Sequence, residues 1–134
     1  LLSDELGELE HLLSATRADL VQAVEGLDEE ALLKEFADER WPIAGILGHV
    51  AGSEWWYLDR LGLAFSRADL PQDPFDRLTA VRDHLLASLP SLPKRPGVVT
   101  LGGETWSARK VIRRAFWHER DHTQHVLKLR SRLA

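Results

Sequence analysis

The chain has 134 residues, about one ordinary domain, so a second full-sized domain is excluded and any site must be built inside a single core spanning 1-134. Hydrophobic residues make up 44% and charged residues 28%, a balance that excludes a disordered or collagen-like chain. The 17 basic residues against 21 acidic ones leave a formal charge of -4, a field that repels polyanions and argues against nucleic acid as a partner.

Leucine occurs 24 times and alanine 14, which already leans toward an all-α fold. Ser3, followed by Asp4 and Glu5, reads as the N-cap of a first helix whose apolar face carries Leu6, Leu9, Leu13, Leu20, Val24 and Leu27. Asp28-Glu29-Glu30 caps a short helical turn through Leu32 and Leu33, and the polar segment Ala37-Asp38-Glu39-Arg40 leads onward. Trp41-Pro42 opens a second long helix, with proline at its first position, running to about Leu61. Turn chemistry follows at Asp69-Leu70-Pro71-Gln72-Asp73-Pro74, then a third helix marked by Leu78, Val81, Leu85 and Leu89 that ends before Pro90. Residues 90 to 104 are expected to form a long loop with a short extended piece near Val98-Val99-Thr100-Leu101. Thr105 or Ser107 then caps a last helix with Val111, Ala115, Val126 and Leu129 on its apolar face. Four long amphipathic helices without recurring strand-length alternation predict a four-helix bundle.

No apolar run is long enough to span a membrane and no signal peptide opens the chain, so a cytoplasmic protein without membrane association is expected. The chain begins at Leu1 and holds no methionine, so preceding residues are expected to be missing from it. Without cysteine it has no disulfide, no thiolate ligand and no cysteine nucleophile, which leaves imidazole and carboxylate to hold any metal.

The six histidines are therefore the informative residues. His118 and His122 are four apart, so on a helix they lie within roughly 40° of each other and one turn apart, a spacing that lets both bind one ion. A wheel referred to His118 puts Val111, Arg114, Ala115, His122, His125 and Leu129 on the same inward stripe. The bare spacing more often marks bundle-end or hydrogen-bonded core histidines than a site. His49 in the second long helix changes that balance, because Gly45 and Gly52 beside it predict empty space for water or substrate, with Trp56 on the same face. The literal H-E-x-x-H string at 118 to 122 is rejected as a zinc-protease motif, since only 12 residues follow His122 and no downstream ligand fits. His125 lies about 10 Å of helical rise beyond His118, too far to share a small ion, and reads as a supporting or bundle-end residue. His84 and His11 read as boundary or surface positions. Arg114, one turn before His118, is expected to meet a substrate carboxylate.

The run Trp41-Pro42-Ile43, Leu47-Gly48-His49, Glu54-Trp55-Trp56-Tyr57-Leu58, Gly103-Glu104-Thr105-Trp106-Ser107 and the His118/His122 pair resembles the DinB-like family of metal-binding four-helix bundles, related to bacterial low-molecular-weight-thiol S-transferases. The resemblance covers nearly the whole chain. It implies an up-down-down-up bundle with a long crossover connection and one divalent ion, zinc or nickel, on His49, His118 and His122. Where that family often carries glutamine three residues after the pair, this chain has His125, with Gln124 before it. The implied activity is metal-dependent thiol transfer to a small-molecule electrophile, with a low-molecular-weight thiol as cosubstrate and Arg114, Trp56, Gly45 and Gly52 shaping the substrate site. Hydrolysis by metal-bound water on the same ligands, or a non-catalytic metal-binding or structural bundle, are the alternatives. Exposed apolar residues on two long helices are compatible with a homodimer.

Overall fold

Local capping and turn chemistry set the helix boundaries in the computed structural model, which describes residues 3–94 and 98–133. A 3-10 turn at Ser3–Glu5 precedes α1, Leu6–Val24, so Ser3 does not cap it; Glu5 holds the N-cap position, with no side-chain cap bond. After Gly26, which reverses the chain at φ 80°, Asp28 accepts a hydrogen bond from the Ala31 N–H at 2.9 Å and starts α2, Glu29–Leu33. Helix α3 is Ile43–Arg60. Pro42 sits one residue earlier than the sequence predicts, as an extended N-cap whose carbonyl accepts the Ile46 N–H at 3.1 Å; its missing N–H costs nothing in either place.

The Asp73 carboxylate accepts the Asp76 N–H at 3.0 Å and starts α4, Pro74–Ser88, which runs into a 3-10 segment at Leu89–Lys94. The expected long loop holds an antiparallel hairpin, β1 Val99–Leu101 and β2 Glu104–Trp106, with residues 95–97 outside the described ones. Gly102 and Gly103 both adopt positive φ, 58° and 80°, the backbone that a two-residue hairpin turn demands. Ser107, rather than Thr105, caps α5, Ala108–Arg130, accepting the Lys110 N–H at 3.1 Å, while Thr105 lies in β2.

The fold is thus all-α apart from this small hairpin. Helix α1 packs on α5, α5 on α3 and α3 on α4. Two apolar clusters result. One gathers Leu13, Trp55, Leu58, Leu85, Trp106 and Ile112, and the other Leu20, Ile43, Ile46, Leu47, Leu78 and Leu129. At their junction four buried polar side chains, Thr16, Glu54, Arg82 and Glu119, join the partly buried Arg17, and together they come from all four long helices. No helix among the described residues is long and apolar enough to cross a membrane.

Candidate metal centre

Helix α5 is long enough to present two different faces at one level. Its fully buried line runs through Ala108, Val111, Ile112, Ala115, Glu119, Thr123, Val126 and Leu129. His118 and His122 therefore do not lie on the deepest stripe, as the wheel predicts, but flank it on the side facing α3, where they are half-buried. The reason is that α5 packs against both α1 and α3, so its inward arc is wide and contains a carboxylate that hydropathy alone assigns to the surface.

Across from them, α3 supplies His49. The Nε2 atoms of His49 and His118 are 3.1 Å apart, and one ligand atom from each of His49, His118 and His122 lies within 4.8 Å of the others. The ring centroids are 4.9 Å apart for His49–His118, 4.9 Å for His49–His122 and 4.4 Å for His118–His122. Two nitrogens bound at about 2.0–2.1 Å to one tetrahedral ion stand roughly 3.3 Å apart, so this donor set fits a shared divalent ion. Burial pushes the His118 imidazole down to about 4, helped by its neighbours His122 and His49. Burial likewise lowers His49, with the Arg40 charge adding to it, and His122, with His49 and His125 adding. All three rings are therefore neutral at neutral pH, the form that can ligate a metal, and the 3.1 Å contact between His49 and His118 is a hydrogen bond in which one Nε2 donates to the other.

The surroundings orient these rings. The Trp41 indole stacks on His49 with centroids 4.5 Å apart and planes 23° from parallel, and Tyr57 meets His118 edge-on at 6.1 Å. His125 faces His122, Nδ1 to Nδ1, at 3.5 Å, and its Nε2 lies 2.9 Å from Glu39 Oε2. Beside His49 a shallow, widely open surface depression lies over the glycine face of α3, with Trp41, Gly48, Gly52, Ser53, Trp56 and Arg77 around it.

A Cβ on Gly45 would come within 2.8 Å of Trp41 Cβ, so the space at Gly45 is filled by the tryptophan, whereas nothing lies within 4 Å of a Cβ on Gly48 or Gly52. Trp56 is 38% exposed, with the Arg60 guanidinium over its ring at 4.0 Å. Arg114 is exposed and its Nη2 reaches Glu104 Oε2 at 3.3 Å. Arg77 lines the depression with its Nε donating to the Pro71 carbonyl at 2.6 Å. The other histidines stand apart. His84 Nε2 lies 2.6 Å from the Leu63 carbonyl, and His11 is exposed.

Glu119, the acid of the literal H-E-x-x-H string, turns away from the imidazoles. It is fully buried, accepting hydrogen bonds from Thr16 Oγ1 at 2.5 Å, Arg17 Nε at 2.7 Å and Arg82 Nη2 at 2.9 Å, and so has no part as a base at a metal. Arg82 also binds Glu54 at 2.8 Å and the Leu13 carbonyl at 2.7 Å. A larger cavity of about 810 Å³ opens between α1 and α4, lined by Ala18, Val21, Phe75 and Leu86, but the three-histidine group is the only metal-ligand cluster among the described residues. Chemistry, not size, therefore selects the candidate site.

The fold is helical, and three imidazoles from two of its helices converge closely enough to be compatible with metal binding. The chain belongs to the DinB superfamily, whose sequence model matches residues 12–126. No curated protein and no solved structure matches it.

Sequence reasoning missed Trp41, Glu39, Gly48 and Arg77 as neighbours of the site, and the whole buried charge network. Glu54 stands four residues from both Val50 and Leu58, Arg82 four from Leu78, and Glu119 four from Ala115, so opposite charges on apolar helix faces were a signal that could have found the network. Glu39 and Arg77 come from segments whose position only the packing defines.

Proposed function

We propose that this protein is a divalent-metal-dependent enzyme that carries out thiol-dependent, S-transferase-like chemistry at His49, His118 and His122. The observation that carries the reading is the 3.1 Å approach of His49 and His118 Nε2, with His122 alongside, next to a depression open beside His49. Zinc or nickel suits three neutral imidazoles. When bound, a divalent ion favours the thiolate form of a thiol over the thiol.

The chain's own residues supply the remainder. Trp41 holds the His49 ring, with Gly45 making room for the indole. Gly48 and Gly52 keep the floor of the depression free of side chains, and Trp56 forms a wall on which a flat group can pack. Arg77 and Arg114 are the cations available to an anionic substrate group. With no cysteine among the 134 residues, the reacting thiol has to be a small cosubstrate. In this reading the protein is cytoplasmic, acts on small molecules without nucleic acid or membrane, and forms a homodimer. Its long helices run up-down-down-up with a long crossover connection. Contacts ascending together along α1 and α5, from Glu5–Arg109 through Thr16–Glu119 to Ala23–Arg130, support a parallel first and last helix.

The test is an assay of zinc- or nickel-loaded protein with a panel of cellular thiols and a chromogenic aryl halide. Expected is thiol-dependent conjugate formation that disappears in His118→Ala, and in Arg77→Ala a KM raised about tenfold for carboxylate-bearing partners only, the loss of one charge-assisted contact. Conjugation at the same rate in His118→Ala, or none with any thiol, would overturn the proposal.

A further inference from the structure

We propose that Glu39 and His125 act together as a positioning pair that keeps the proton of His122 on Nδ1 and so presents the Nε2 lone pair of His122 to the space it shares with His49 and His118. The inference rests on the three-imidazole reading and says how this particular chain, with histidine at position 125, prepares one of the three rings.

The argument is one of donors and acceptors. Glu39 Oε2 lies 2.9 Å from His125 Nε2, and an ionised carboxylate can only accept, so Nε2 of His125 carries the hydrogen. A ring with one proton then has a bare Nδ1. That atom faces His122 Nδ1 at 3.5 Å, at the long limit of a hydrogen bond, and two bare nitrogens facing each other repel. With His125 neutral, the arrangement is favourable when His122 Nδ1 donates to His125, which leaves Nε2 of His122 bare.

His122 would otherwise divide between two tautomers, one of which points an N–H at the metal position. Both members of the pair are partly shielded from water, at 28% side-chain exposure for His125 and 18% for Glu39, so bulk solvent competes only in part for these bonds. The same short segment before α3 thus serves two rings from two helices. Trp41 packs on His49, and Glu39, two residues earlier, reaches His122 through His125.

The experiment has two readouts on full-length protein. Long-range proton–nitrogen NMR of the imidazoles in metal-free protein reports the tautomer of His122. Competition with a chromophoric chelator reports the affinity for zinc ions and, separately, nickel ions. Wild type should show His122 protonated on Nδ1. Glu39→Ala and His125→Ala should shift it toward the other tautomer and bind zinc and nickel about 10–100-fold more weakly, the usual cost of losing a hydrogen-bond partner of a metal-ligating histidine.

His125→Gln supplies an amide that can donate to Glu39 and accept from His122, so it should recover most of the affinity, which a role in packing alone would not explain. The inference is overturned if metal-free wild type carries the His122 proton on Nε2, or if both alanine variants bind within twofold of wild type. Failure of the parent reading looks different. Wild type would then bind neither metal, or His118→Ala would bind as well as wild type, while the tautomer measurement would still decide the present inference.

Discussion

Helix α5 separates two clusters of ionisable side chains that are built in opposite ways. On one side Glu119 joins Arg17, Arg82 and Glu54, two cations against two anions, with Glu119 and Arg82 nearly or fully buried and hydrogen-bonded among themselves. On the other side His118 and His122 meet His49 as half-buried neutral rings, whose nitrogens converge on one point with no carboxylate in contact there. The first cluster pairs its charges with one another, leaving only Arg17 Nη2 without a hydrogen bond, 4.0 Å from Glu54 Oε1. The second brings imidazole nitrogens together with no opposite charge among them, His49 and His118 sharing a hydrogen bond between their Nε2 atoms at 3.1 Å. The first cluster ties four helices together through opposite charges, whereas the second is a donor set that the proposed function assigns to a metal.

Breaking the first cluster should cost the most stability. Arg82→Ala removes the cation that Glu54 and Glu119 share, leaving Glu54 without a close partner in the core, and should destabilise the fold by about 3–5 kcal/mol, a large part of what a domain this size has, read by urea unfolding at pH 7. His118→Ala should cost far less in the metal-free protein, and equal losses in the two variants would erase the distinction drawn here.

Acid should separate the clusters next. His118 in the folded protein is depressed to about 4 from its ordinary 6.5, so protons favour the unfolded chain across that window and stability falls as pH drops through it. The Glu119 carboxyl is raised by burial, but the Arg82 and Arg17 charges and the bonds from Thr16 and Arg17 outweigh this and hold it below its ordinary 4.5. Its contribution is complete above that value and is lost only as pH falls through the lower, folded one. Metal-free wild type should therefore lose stability in two stages, and His118→Ala should reduce the upper one, to which the lowered His49 and His122 also contribute, and leave the lower one. A single stage below pH 4 in both proteins would contradict this.

The smallest effect distinguishes the glycines. Gly48→Ala meets nothing within 4 Å and should stabilise the metal-free fold by about 0.5–1 kcal/mol, the helical cost of glycine against alanine, while crowding the depression and slowing turnover of bulky electrophiles. Gly45→Ala brings its Cβ to 2.8 Å from Trp41 Cβ and should be destabilising and displace the indole from His49, visible as a change in tryptophan fluorescence.

The difference between the two clusters also explains what the sequence made legible. Helix positions followed from apolar periodicity and from Asp28, Pro74 and Ser107 chemistry, and the three histidines followed from spacing plus the family resemblance. The hairpin was hidden behind a loop expectation although Gly102-Gly103 between short apolar stretches carried its turn. The buried charges were hidden because a wheel weighted by hydropathy puts Glu119 on the surface, when its pairing with Arg82 and Arg17 comes from two other helices. Gly45 and Gly48 are equivalent as letters and differ only in where Trp41 lies. Glu39 sits in a segment with no periodicity, and its partner His125 is 86 residues away.

The most direct test of the central claim is the metal stoichiometry of purified protein dialysed against zinc, determined by elemental analysis for wild type and for the His49→Ala, His118→Ala and His122→Ala variants. The account predicts one ion per chain in wild type and a loss in each of the three variants, with folding by circular dichroism retained. Wild type that holds no ion, or His49→Ala that holds as much as wild type, would contradict it.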